Sequence, residues 1–260
     1  MRTAHTSLTT IATRVLHLTD PHLFAETEGE LRGTNTYASL TSVLEHYKAS
    51  DWSADFALVT GDLIQDDTPE AYVHFCNRLS TLGIPVYCLP GNHDVRALMR
   101  EALDEPPFHY CASFESDNWL VVSVDSCLSG DAGGRVSDEE LDRIDAEIAA
   151  SPAEHIMVCL HHPPVPMNSA WLDTVGLQNG AEFLAHIGAS GKVRLAVFGH
   201  VHQVYDAPHN GIQIIGTPST CRQFKQGSVE FAVDDNPPAY RQINLYTDGR
   251  FDHELVWVNQ

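Results

Sequence analysis

The 260-residue sequence predicts an α/β fold with more than one sheet, and three observations carry that expectation. Short apolar runs alternate with helical patterns along the chain. The early apolar runs do not alternate with polar residues, as expected of strands buried on both faces. The stretches around NLY and DHELVWV flank Asp248-Gly249, a hairpin signal, so the later strands look more antiparallel and point to a second sheet.

In chain order, VLHL (15–18) is a strand, and the spacing predicts a helix from Thr34 to Lys48. FALVT (56–60) is the next strand. Thr68 then acts as N-cap, with Pro69 at the first helical position. VYCL (86–89) and WLVVSVD (119–125) are strands. Ser137, with Glu140 three residues later, forms a capping box that opens a helix to about Ala150. IMVCL (156–160) is a strand, followed by a helix over Ala181–Ala189 and strands at LAVF (195–198) and IQIIG (212–216). The long stretch Ser126–Val136 and the Pro-rich 163–168 have no regular pattern and are expected at the rim of a site.

Composition bounds the function. With 43% hydrophobic residues the chain can bury a large core, as one domain or two. Fifteen basic against 35 acidic residues give a net charge of −20. Such a surface repels phosphate backbones and anionic membranes, so neither long nucleic acid nor a membrane is an expected partner. An anionic substrate needs a local source of positive charge, and bound cations supply one. The six cysteines form no CxxC pair and read as reduced, buried thiols. The N-terminus lacks an apolar signal segment and no run reaches membrane-spanning length, so the protein is expected in the cytoplasm. Association as a homodimer is open.

Five strands end in metal-type ligands. VLHL runs into Asp20-Pro-His22, FALVT into Gly61-Asp62 and VYCL into Pro-Gly91-Asn92-His93-Asp94. IMVCL runs into His161-His162, and LAVF into Gly199-His200-Val-His202. Open α/β sheets place their sites at these carboxyl ends. Singly, each motif is ordinary. Asp-x-His pairs and Gly-Asp turns are common, and His-His-Pro-Pro is often a polar loop. Together they assemble two carboxylates, four imidazoles and an amide: Asp20, His22, Asp62, Asn92, His161, His200 and His202. One ion cannot use all of these and keep a position open for water. Two can share them through a bridging carboxylate, and the spacing points to Asp62. Most other histidines, such as His5, His46, His74 and His253, are expected on the solvated surface.

The motif order D-x-H, GD, GNH(D/E), H and G-H-x-H resembles that of the calcineurin-like metallophosphoesterases. The likeness implies a single domain over 14–260, after a flexible arm at 1–13. It implies a four-layer αββα sandwich of two mixed β-sheets flanked by helices. It also implies two transition-metal ions, iron, manganese or zinc. Asp20, His22, Asp62 and His202 would surround one, and Asp62, Asn92, His161 and His200 the other. His161 is preferred to His162 because the first histidine after the strand matches the family. Asn92 ligates without adding negative charge, which keeps the pocket positive and the ions strong Lewis acids. His93 is expected to act as the catalytic group at the leaving oxygen, and His22, Asp62, Asn92, His93 and His202 to meet the substrate.

Segments following the GD and GNH motifs argue against two branches of the family. GDLIQD and GNHD stand where serine/threonine phosphatases carry GDxVDRG and GNHE, and Leu63, Ile64 and Gln65 replace the tyrosine ligand of purple acid phosphatases. LTDPHLF, LRGTNTYAS, GDLIQDDTPEAY, LPGNHD, HHPPVP and TPSTCRQF are similar to the bacterial class III cyclic nucleotide phosphodiesterases. That likeness implies hydrolysis of 3′,5′-cyclic AMP to 5′-AMP by a metal-activated water. The alternatives are a broader phosphodiesterase or nuclease of the same superfamily, and a metal-free interaction scaffold.

Overall fold

The computed structural model describes residues 10–259, and its first strand, β1 (Ile11–Leu18), shows how the layers arise. Successive side chains leave opposite faces of a strand. Val15 therefore enters one apolar layer, while Leu16 and Leu18 enter another. A small ribbon follows, β2 (Glu30–Leu31) and β3 (Thr34–Asn35), then α1 (Thr36–Ala49), β4 (Phe56–Thr60), α2 (Pro69–Leu79), β5 (Val86–Leu89) and α3 (Arg96–Ala102). Next come β6 (Phe108–Tyr110), β7 (Phe114–Ser116), β8 (Trp119–Ser123), α4 (Asp138–Ala150), β9 (His155–Cys159), α5 (Gly180–Gly188) and β10 (Val193–Phe198). The chain continues through β11 (Tyr205–His209), β12 (Ile212–Gly216), β13 (Gln223–Phe224), β14 (Val233–Asp234), β15 (Ala239–Tyr246) and β16 (Phe251–Trp257).

Two six-stranded mixed sheets result, ordered β16-β15-β1-β4-β5-β6 and β11-β12-β10-β9-β8-β7. Their facing sides share one core layer, in which Val15, Phe56 and Leu58 meet Trp119, Val121, Met157 and Val197. Leu40 and Val43 of α1 and Tyr72 and Phe75 of α2 cover the outer face of the first sheet. Ile144 of α4 and Phe183 and Ile187 of α5 cover the second. Each fully buried Leu, Ile or Phe contributes about 1.5–3 kcal/mol relative to exposure. This is the αββα sandwich, and the early strands are buried on both faces as their unbroken apolar runs require.

Several local expectations shift. β1 begins at Ile11, and residues 11–13 pair with β15 instead of belonging to an arm; residues 1–9 lie outside the described part. α1 starts at Thr36 instead of Thr34, because Asn35 caps it and accepts from Ala38 N at 2.7 Å. Thr68 caps α2 as expected. Ser137 accepts from Glu140 N, but the Glu140 carboxylate turns to Asp125 N and Arg143, so only half of a capping box forms. The Asp248-Gly249 hairpin forms, yet it joins the first sheet through the β15–β1 pairing. The second sheet is mostly parallel, because β8, β9, β10 and β12 run side by side. No helix among the described residues is long and apolar enough to cross a membrane.

Candidate metal centre

β1, β4, β5, β9 and β10 all deliver their polar termini to one end of the sandwich. The backbone bends sharply there. Asp20, His22, Asp62, His200 and His202 all have positive φ, between 48° and 67°. Asp and His tolerate this left-handed region better than most residues, although it remains uncommon. Glycines let the turns approach. A Cβ on Gly91 would lie 2.1 Å from Asp62 Oδ1, and one on Gly199 would lie 2.0 Å from Thr19 Oγ1.

All seven residues named from the sequence converge. His202 Nε2 lies 3.4 Å from Asp20 Oδ1 and 3.1 Å from His22 Nε2. On the other side, His161 Nε2 lies 3.1 Å from Asn92 Oδ1 and 3.1 Å from His200 Nδ1. Asp62 joins the two groups, with Oδ2 3.6 Å from His22 Nε2 and 3.4 Å from His161 Nε2. Its other oxygen accepts from His93 N at 2.8 Å. Ligand atoms of Asp20, His22 and His202, and likewise of Asp20, Asp62 and His161, lie within 4.8 Å of one another.

The donor set fits cations. His161 Nδ1 donates to the Thr60 carbonyl at 2.8 Å and His202 Nδ1 to the Arg222 carbonyl at 2.6 Å. In its neutral form each ring thus turns a bare Nε2 lone pair toward carboxylate or amide oxygen. Fixing a ligand histidine through its second nitrogen in this way is the usual support for metal binding. His200 Nε2 and His22 Nδ1 are buried without a partner. Burial pushes His22 and His200 down to about 3, so both imidazoles are neutral near pH 7. Burial also disfavours charge on Asp62 and His161. Their mutual attraction wins, holding Asp62 well below the usual carboxylate range and raising His161 to about 9. A proton thus stands between these groups when no other cation does.

His162 is also buried, and its ligand atom lies near those of His161 and His200. Both its ring nitrogens are engaged, at 2.9 Å from Ser126 Oγ and 3.2 Å from the Ala132 carbonyl. It therefore braces the loop after β8. His93 is half-buried; the Gln65 amide Nε2 lies 3.3 Å from its Nδ1, and its ring stands edge-on to His22 at 5.1 Å. Asp94 accepts from Gly91 N, Leu63 N and the Tyr72 hydroxyl, and so pins the turn that presents Asn92 and His93.

Beneath the ligands lies a polar chain that the sequence reading missed. Arg241 Nε donates to Thr217 Oγ1 at 3.1 Å, and that hydroxyl donates to His17 Nδ1 at 2.9 Å. His17 Nε2 donates to Thr60 Oγ1 at 2.9 Å, Thr60 to Thr19 Oγ1 at 2.8 Å, and Thr19 to Asp20 Oδ2 at 2.6 Å. The direction is forced at both ends, because a guanidinium only donates and a carboxylate only accepts. Asp20 Oδ2 is thereby occupied, while Oδ1 faces His22 and His202. The expectation of solvated histidines fails at His17 and His155, which are buried because strands carry them inward. His46 is exposed, His74 and His253 are half-buried, and His5 lies outside the described residues.

A cavity of about 280 Å³ opens over the ligands. Its lining combines the polar group His22, Asp62, Asn92, His93, His200 and His202 with Leu31, Arg32, Trp171, Val175, Phe224 and Phe231. Of the two irregular stretches expected at the rim, 126–136 contributes Ala132, while 163–166 lines a separate cavity beside α5.

The calcineurin-like phosphoesterase family model matches residues 13–204. The 3′,5′-cyclic adenosine monophosphate phosphodiesterase CpdA of Haemophilus influenzae is 35% identical over 248 residues, covering 95% of this chain and 90% of the relative. A 3′,5′-cyclic-nucleotide phosphodiesterase of Nostoc is 36% identical over 244 residues, covering 94% of this chain and 92% of the relative. The crystal structure of a dimetal phosphatase from Danio rerio superposes with a TM-score of 0.65 at 15% identity, covering 96% of this chain and all of the other, which shows a shared fold.

Proposed function

This chain belongs to the calcineurin-like phosphoesterase family, and from that premise we propose that it is a dinuclear metallophosphodiesterase hydrolysing 3′,5′-cyclic AMP to 5′-AMP. The observation that carries the reading is Asp62 Oδ2, placed between His22 and His161 so that one oxygen serves both groups. Asp20, His22, Asp62 and His202 would hold one ion, and Asp62, Asn92, His161 and His200 the other. Imidazole, carboxylate and amide donors suit iron, manganese or zinc. Bound there, two such ions supply positive charge to the phosphoryl oxygens and lower the pKa of a water toward neutrality.

The chain's own groups do the rest. The two carboxylates Asp20 and Asp62 stand against the four positive charges that two divalent ions would bring, leaving the pocket able to attract an anion despite a net charge of −20. Asn92 contributes a carbonyl oxygen and no charge. Gln65 donates to His93 Nδ1, which leaves the His93 proton on Nε2, free to meet the leaving ribose oxygen as charge develops there. His22, Asp62, Asn92, His93 and His202 all face the cavity and are assigned to substrate contact. The cavity's size suits a small nucleotide. Six free thiols suit a reducing compartment, and we place the enzyme in the cytoplasm.

A substrate panel tests the assignment. The expected order of kcat/KM is cyclic AMP above dinucleotides, and dinucleotides above long single strands. Faster turnover of linear diesters would instead support the broader phosphodiesterase or nuclease.

A further inference from the structure

The cavity over the centre has two unlike halves. The half formed by the ligands and His93 suits a phosphodiester. The other half is aromatic and apolar, and none of the reacting groups needs it. Phe224 joins the two, its ring stacked on His202 with centroids 4.1 Å apart and planes 4° apart. Trp171 and Phe231 extend the wall, each edge-on to Phe224 at 5.5 and 5.1 Å, and 5.1 Å from one another. The Trp171 indole is fixed by a 3.1 Å hydrogen bond to Ser228 Oγ. Phe231 is 41% exposed, an unusual state for a phenylalanine packed in a cluster.

Among the described residues, Arg32 is the one lysine or arginine on the cavity wall, in a chain of net charge −20. It stands at the tip of the β2–β3 hairpin, a two-residue turn in which Arg32 and Gly33 have φ of 51° and 80°. Such turns favour Asn, Asp or Gly at both positions, so an arginine at positive φ is held there against its backbone preference. Its guanidinium lies 4.7 Å from the Phe231 ring centre. The arrangement is an aromatic wall topped by a donor-only group, in the same cavity as the candidate metal ligands.

We propose that this aromatic half is a purine-base subsite, in which the base stacks on the Phe231–Trp171–Phe224 wall and Arg32 donates to its ring-nitrogen acceptors. Flat aromatic faces bind bases by stacking, and arginine adds donors and a stacking plane of its own. A cyclic nucleotide matches the cavity end for end, with its charge at one end and a flat, weakly polar ring at the other. The inference deepens the cyclic AMP reading and rests on it.

The test compares kcat/KM for cyclic AMP with kcat/KM for a base-free analogue, 1-O-methylribose 3′,5′-cyclic phosphate. In Phe231→Ala the ratio should fall about 5- to 100-fold, mostly through KM. Arg32→Ala should lower it about 3- to 10-fold. Phe231→Trp should preserve it, because a flat ring remains, and Phe231→Leu should not. Misfolding depresses both substrates and cancels in the ratio. An unchanged ratio in Phe231→Ala and Arg32→Ala, with wild type active on cyclic AMP, overturns the subsite alone. A wild type that turns over the base-free diester but not cyclic AMP overturns the substrate reading and the subsite together.

Discussion

Asp62 Oδ2 lies 3.4 Å from His161 Nε2, while the other nitrogen of that ring donates to the Thr60 carbonyl at 2.8 Å. A neutral His161 therefore faces Asp62 lone pair to lone pair, and Asn92 Oδ1 adds a third acceptor at 3.1 Å. Buried acceptors without a donor are costly, so either a proton on His161 or a bound cation is needed between them. The same Asp62 oxygen lies 3.6 Å from His22, in the neighbouring group.

Asp62→Ala should consequently lose more activity and more metal than Asp20→Ala, since Asp62 is assigned to both ions and Asp20 to one. Metal content and kcat of the two variants decide this. Equal losses, with one ion retained in each, would remove the bridging role.

His93 lines the cavity and touches Asp62 through its backbone N–H, and with Nδ1 held by Gln65 its Nε2 remains for substrate. His93→Ala should keep the fold and the metal content. Turnover of cyclic AMP should drop about 10²- to 10⁴-fold, the usual contribution of a positioned proton donor. A nitrophenyl diester, whose leaving group needs no proton, should suffer less. Loss of metal would make His93 a ligand, and equal losses on both substrates would make it a phosphate-positioning group.

His17 sets a pH dependence of stability. Burial, with help from Arg241, pushes its pKa from 6.5 to about 3, so the folded protein disfavours its charged form. The sign follows. Its stabilising contribution is complete above about pH 6.5 and is lost as pH falls toward 3, because only the unfolded chain takes up the proton readily. The slope approaches about 1.4 kcal/mol per pH unit. His17→Gln retains a donor and an acceptor but does not titrate. Between pH 6.5 and 4.5, the wild type should lose about 2–3 kcal/mol more than the variant in denaturant unfolding of the metal-free protein. Parallel curves would contradict this.

Much of the candidate site was legible because the residues that would ligate follow directly on apolar strands, where a polar run stands out. Asp20, His22, Asp62, Asn92, His161, His200 and His202 all fall within four residues of a strand end. The polar chain beneath them was hidden because His17 and Arg241 sit inside strands. The signal was there: Val15 and His17 share one face, as do Arg241, Ile243 and Leu245. Those core-facing positions put both polar groups between the sheets, at 0% and 2% exposure. The aromatic wall was illegible, since Trp171, Phe224 and Phe231 come from irregular segments or a two-residue strand that only tertiary packing brings together. The C-terminal hairpin was readable as a hairpin. Its sheet was not, because pairing with β1 joins residues more than two hundred positions apart.

If the seven converging residues hold a dinuclear centre, phosphodiester hydrolysis depends on the ions bound there. The most direct test of that dependence is elemental analysis of the purified chain alongside its cyclic AMP hydrolysis, before and after exhaustive chelation. Up to two transition-metal ions per chain are expected, with activity abolished on stripping and recovered when manganese is returned. Full activity in the metal-stripped protein would contradict that dependence.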